Sequence, residues 1–86
     1  MYIIRLKKPA EKYLNKLSGK IYRSIRKKLE DIKTNPVPSD AEPMTGYSNT
    51  YRIRTGNLRI IYEVRQRELV IIVIDIGPRG QIYNPY

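Results

Sequence analysis

The residues best equipped for chemistry in this chain are arginines. The stretch YRIRTGNLRIIYEV, residues 51–64, carries Arg52, Arg54 and Arg59 within two otherwise apolar segments. A guanidinium group is a planar, permanently charged fork that matches an anionic oxygen pair with two parallel hydrogen bonds. Arg79 follows in Gly77-Pro78-Arg79-Gly80, where the glycines let the backbone come close to a ligand and the proline stiffens the turn. Tyr83 follows in a short strand that could reach the same face, and Glu63 is the acid in the same stretch as the arginines, a candidate base or charge partner. Such a set can bind a phosphodiester and stabilise charge that develops as it is cleaved.

What is missing narrows the chemistry further. The chain has no His and no Cys. Ser/His/Asp and Cys/His catalysis are therefore excluded, as are metal sites built on imidazole or thiolate. No glycine-rich phosphate loop or dinucleotide fingerprint is present. Asp40 and Glu42 fall in a loop, and Glu63 and Asp75 are isolated among strands, so the acids suggest no metal cluster. The expected site is an arginine site without metal or cofactor. Its weak point is the base: neither Tyr83 nor Glu63 suits that role at its ordinary pKa.

Strand parity decides whether the arginines can act together. Residues two apart share a face. A two-residue Gly56-Asn57 turn would set Arg54 opposite Arg59 and Ile53 opposite Ile60. A two-residue Thr55-Gly56 turn would set Arg52 opposite Arg59 and Ile53 opposite Leu58. Both registers gather the three arginines on one face and the aliphatics on the other, whereas a three-residue loop spoils both faces. Facing like charges cost up to about 1 kcal/mol per cross-strand pair. A solvated outer face tolerates this, but stability alone would favour alternating signs, so the pattern reads as an anion site.

The elements that must position these residues are legible from periodicity. YIIRLK, residues 2–7, reads as a strand. Pro9 suits a first helical turn, and Ala10, Tyr13, Leu14 and Leu17 make one apolar stripe. Ser18-Gly19 ends that helix. A second helix over 20–34 has Ile21, Ile25, Leu29 and Ile32 as its core face, with Lys20, Arg23, Lys27 and Lys28 opposite. Asn35-Pro36 stops it. Residues 35–50 read as loop. Strands are expected at about 49–54, 58–65 and 68–76, with a last short one over 81–83. The segment ELVIIVIDI is apolar on both parities, the mark of a central strand covered on both faces. The order implies one α+β domain over 1–86: an N-terminal strand, a helical hairpin, then antiparallel strands in a small twisted sheet.

Bulk composition points to a polyanionic partner. The 86 residues carry a formal net charge of +9. All eight Lys lie between Lys7 and Lys33, and beyond residue 34 every basic residue is Arg. Nucleic acid, an anionic membrane surface or an acidic protein segment would complement that excess. No apolar run is long enough to span a bilayer and no signal-peptide pattern is present, so a soluble cytoplasmic protein is the expectation.

Taken together, Met44-x-Gly46, YRIRTGNLRIIYEV and LVIIVIDIGPRGQIY resemble the RelE/ParE toxin superfamily, and its RelE branch in particular. The resemblance is specific over 44–83, while the helices match in pattern. It implies a fold of the microbial-ribonuclease kind. It also implies a ribosome-dependent, metal-independent endoribonuclease that cuts messenger RNA in the ribosomal A site and inhibits translation. An acidic RelB-like antitoxin, in a heterotetrameric complex, would be its inhibitor. By position, Arg52 and Arg54 take the family's two basic places before the hairpin, Arg59 the arginine after it, Arg79 the arginine of the Gly-x-Arg loop and Tyr83 the stacking tyrosine. In the best-known pattern the first two are Lys, one acting as base; here both are Arg. Lys27 and Lys28 are added as RNA contacts. The alternative is a ParE-like toxin that inhibits DNA gyrase and cuts nothing, and a blander one is a non-catalytic RNA binder.

Overall fold

The computed structural model describes residues 1–78. Arg79, Tyr83 and the strand expected over 81–83 lie outside the described residues. The elements run β1 (Ile3–Leu6), α1 (Lys8–Lys16), α2 (Gly19–Thr34), β2 (Glu42–Pro43), β3 (Thr50–Thr55), β4 (Leu58–Arg65) and β5 (Val70–Pro78). They build one sheet in the order β1-β5-β4-β3-β2. The α+β expectation holds, with one refinement: the sheet is mixed. β1 pairs with β5 in parallel, and every other pairing is antiparallel. The helical hairpin carries the chain from β1 at one edge to β2 at the other, and the strands then step back until β5 lies beside β1.

Helix α1 starts with Pro9 in its first turn, where a missing N–H costs nothing. It buries Ala10 and Leu14 against the sheet. Gly19 takes φ +59° at the joint between the helices, a conformation that a side chain resists. Helix α2 buries Ile25, Leu29 and Ile32, but Ile21 is 56% exposed, against the sequence expectation. Residues 18–24 are all exposed, so the first turn of α2 projects beyond the core and Ile21 meets no partner there. The helices and the face of the sheet bearing Ile53, Ile60, Tyr62, Val64, Ile71, Val73 and Ile76 form one core. The hydroxyl of Tyr62 donates to the Pro36 carbonyl at 2.7 Å, tying the core to the loop after α2.

Two other expectations are corrected. The loop over 35–50 contains a short edge strand, β2, whose Glu42 pairs with Arg52 and Pro43 with Tyr51. A proline is tolerated there because an outermost strand need not donate outward. The apolar strand β5 is interior but not central, since β4 holds the middle place. Nor is it fully covered on both sides: the helices take one face, and Val70, Ile72 and Ile74 on the other remain half-buried. Its double apolar parity has a second cause, a bulge. Ile61 pairs with Asp75 and Tyr62 with Val73, which leaves Ile74 as the extra residue. A bulge of this kind resets the alternation. Without it, Asp75 would share the inward parity of Ile71 and Val73. With it, Ile76 turns into the core and Asp75 turns out.

Candidate functional site

The β3–β4 hairpin uses Gly56-Asn57 as its turn. Arg54 stands opposite Arg59, and Ile53 opposite Ile60. Gly56 has φ +58°, whereas Asn57 is not among the positive-φ residues, the arrangement of a two-residue hairpin turn with glycine first. Of the two registers the sequence allowed, this is the one adopted, and it gathers the three arginines as either would have. Arg52, Arg54 and Arg59 lie on the face away from the helices, while Ile53 and Ile60 are fully buried in the core.

The three arginines differ in setting. The Arg52 and Arg54 side chains are 35% and 43% exposed and share one carboxylate: Glu42 Oε1 lies 3.4 Å from Arg52 Nη2 and 3.6 Å from Arg54 Nη1. The Arg59 side chain is only 3% exposed, and its Nη2 donates to Asp75 Oδ2 at 3.2 Å. Its Nε and Nη1, and the Nε of Arg52, are buried without an acceptor among the described residues. A buried donor left unpaired costs about 1–3 kcal/mol, so an anion that reached these groups would recover that energy. Breaking the Arg59–Asp75 pair would cost more, about 3–5 kcal/mol, because a buried charge would lose its compensation. The exposed Glu42 contacts are each worth no more than about 1 kcal/mol and give way readily to a competing anion.

Glu42 and Asp75 are the residues that sequence reasoning missed. Glu42 lies in a strand rather than a loop, and Asp75 is not isolated; both neutralise the arginine face. Asp75 had left a trace, since a lone acid on the inward parity of an apolar strand signals either a buried charge or a bulge. Glu42 had left none, because a two-residue strand has no periodicity to read. Glu63, by contrast, makes no ion pair with the three arginines among the described residues. It lies four residues along β4 from Arg59, about 13 Å at strand spacing, and pairs with Arg65 at 3.5 Å. Lys27 and Lys28 are not brought to this face either. They belong to α2, on the helical side of the sheet, and pair with Asp31 at 3.5 Å and Asp40 at 3.2 Å.

The arrangement can hold an oxyanion against a row of guanidinium groups, with a displaceable carboxylate beside it. Comparison with known proteins places the chain as a whole. Residues 4–83 match the family model described as the ParE toxin of the type II toxin-antitoxin system, parDE. The protein designated RelE1 in Methanocaldococcus jannaschii is 30% identical over 86 residues, covering 95% of this chain and 96% of that protein. The mRNA interferase toxin RelE of Escherichia coli K12 is 28% identical over 87 residues, 96% of this chain and 90% of that protein. A crystal structure of the archaeal RelE–RelB complex from Pyrococcus horikoshii superposes with a TM-score of 0.81 at 29% identity, covering 94% of this chain and 98% of that one. The chain therefore belongs to the RelE/ParE toxin superfamily and is a RelE-like toxin of a toxin–antitoxin system.

Proposed function

We propose that the protein is a metal-independent endoribonuclease that cuts messenger RNA in the ribosomal A site and so inhibits translation. The observation that carries this reading is Arg59: a buried cation with two unspent donors, on the same face as Arg52 and Arg54. The name of the Escherichia coli relative, an mRNA interferase, supports the same class of activity. The scissile phosphate would lie against Arg52, Arg54 and Arg59, displacing Glu42 from the first two. Arg79 would add a fourth guanidinium and Tyr83 a ring against a base.

Glu42 then fills the gap left by two arginines in the basic positions. A guanidinium cation has no lone pair to accept a proton, whereas a carboxylate has, and Glu42 lies beside both arginines while Glu63 pairs with Arg65. Glu42 would take the proton of the 2′-hydroxyl as its oxygen attacks phosphorus. The bond to the 5′-oxygen breaks, and that oxygen leaves with a proton from solvent, giving a 2′,3′-cyclic phosphate. The arginines stabilise the extra negative charge on the phosphorane-like transition state.

The partner we propose is an acidic RelB-like antitoxin, in a heterotetrameric cytoplasmic complex. The charge of +9 supports it, as does the Pyrococcus horikoshii relative, solved as a RelE–RelB complex. The second reading, a gyrase inhibitor, is favoured by the parDE description of the matching family model. Inducing the protein in cells separates them. Messenger RNA breaks within A-site codons that fall sharply but stay measurable in Arg59→Ala support the nuclease, and DNA breaks with intact RNA would replace it by the gyrase reading. Glu42→Gln should abolish cleavage while RNA affinity is kept or raised. Cleavage within about twofold of the parent would remove Glu42 as base.

A further inference from the structure

Asp75 owes its position to an irregularity rather than to alternation. The bulge at Ile74 turns it onto the arginine face, diagonal to Arg59, whose direct partners on the neighbouring strands are Gly77 and Arg54. Gly77 contributes no side chain to restrain the guanidinium, and Arg54 repels it. Asp75, at 3.2 Å from Nη2, is the single ion-pair partner of Arg59 among the described residues. One carboxylate therefore occupies one of the three guanidinium nitrogens and leaves Nε and Nη1 unspent. A guanidinium is planar, so fixing one nitrogen in a nearly solvent-free site restricts where the other two can donate.

We propose that Asp75 is a positioning residue for cleavage: delivered to the arginine face by the bulge, it orients Arg59 so that the remaining donors meet the substrate phosphate. This rests on the nuclease reading above. Asp75 touches no substrate in this role and acts through Arg59. The bulge is then a functional feature of the strand, since it places a carboxylate where regular alternation would place an aliphatic side chain.

The test is a double-mutant cycle read on cleavage by translating ribosomes, with Arg59→Ala, Asp75→Asn and the pair. Misplacing a catalytic group by about an ångström costs about 100-fold, so Asp75→Asn should lose about that much kcat with KM little changed. In the Arg59→Ala background Asp75→Asn should cause no further loss, because the group it orients is gone. A further loss there would overturn the proposal, and so would a fully active Asp75→Asn alongside an inactive Arg59→Ala. Asp75→Glu guards against a variant that fails to fold. It keeps the charge and moves it by one methylene, so thermal stability should stay near the parent while kcat remains depressed; parental kcat in Asp75→Glu would overturn positioning. A fully active Arg59→Ala is a different failure, since it removes the arginine site itself and the nuclease reading with it.

Discussion

Arg59 is a cation in surroundings that normally reject one, and among the described residues Asp75 is its one ion-pair partner. The same logic applies on the opposite face to Tyr62, which is fully buried and donates to the Pro36 carbonyl. Burial raises its pKa above the ordinary value of 10.0, and the charge of Asp40 and the neighbouring Tyr51 push the same way. The sign follows from linkage. The folded state keeps the phenol neutral, so below the unfolded pKa of about 10 the group adds no pH dependence. Above it the unfolded chain loses the proton first, and stability falls as pH rises. Tyr62→Phe should cost about 1 kcal/mol at neutral pH by leaving the carbonyl unpaired. It should also flatten the decline above about pH 10. Urea titrations of both proteins at neutral and alkaline pH check this, and equal slopes would show that Tyr62 does not titrate on unfolding.

At the scale of the element, two isoleucines on one helix give the sharpest contrast. Ile21 and Ile25 are one turn apart and read alike in the sequence, yet one is 56% exposed and the other fully buried. Ile25→Ala should cost about 2–5 kcal/mol by leaving a cavity in the core. Ile21→Ala should stay within about 0.5 kcal/mol. Chemical denaturation of the two variants decides it, and a large cost at Ile21 would mean that the first turn of α2 is packed. Strand elements behaved more predictably. The three-arginine face followed from parity, because either permitted two-residue turn preserved it. The bulge did not follow, because its one trace, Asp75 on the inward parity, would also be explained by a buried charge.

For the whole molecule, the governing quantity is the charge of +9 on 86 residues. If four arginines contact RNA phosphates, log affinity should fall with log salt at a slope of about −3. Arg59→Ala should reduce the magnitude of that slope by about 0.7. Fluorescence titrations of single-stranded RNA over a range of salt concentrations measure both. An unchanged slope in Arg59→Ala would take Arg59 out of the phosphate contact. The same charge, together with exposed Met1, Ile3, Ile21 and Tyr22, suits a partner that is acidic and also covers apolar surface. Binding to the folded state alone should raise Tm in proportion to the logarithm of partner concentration.

The sequence by itself determined the class of fold, the helical hairpin and the face on which the arginines gather. These rest on periodicity and turn chemistry, which act between residues close along the chain. Parity separates the arginines of YRIRTGNLRIIYEV from Ile53 and Ile60, and it is written in consecutive residues, although Ile61 shares the arginine face and is fully buried there. Tertiary structure alone decided which carboxylates meet those arginines. Glu42 comes from an edge strand too short to carry a pattern, and Asp75 is turned outward by a bulge that pairs Ile61 with Asp75 and Tyr62 with Val73. Tertiary structure also left Ile21 outside the core, because a helix can run past the surface it packs on. Contacts of that kind depend on where separate elements end, and spacing along the chain does not record it.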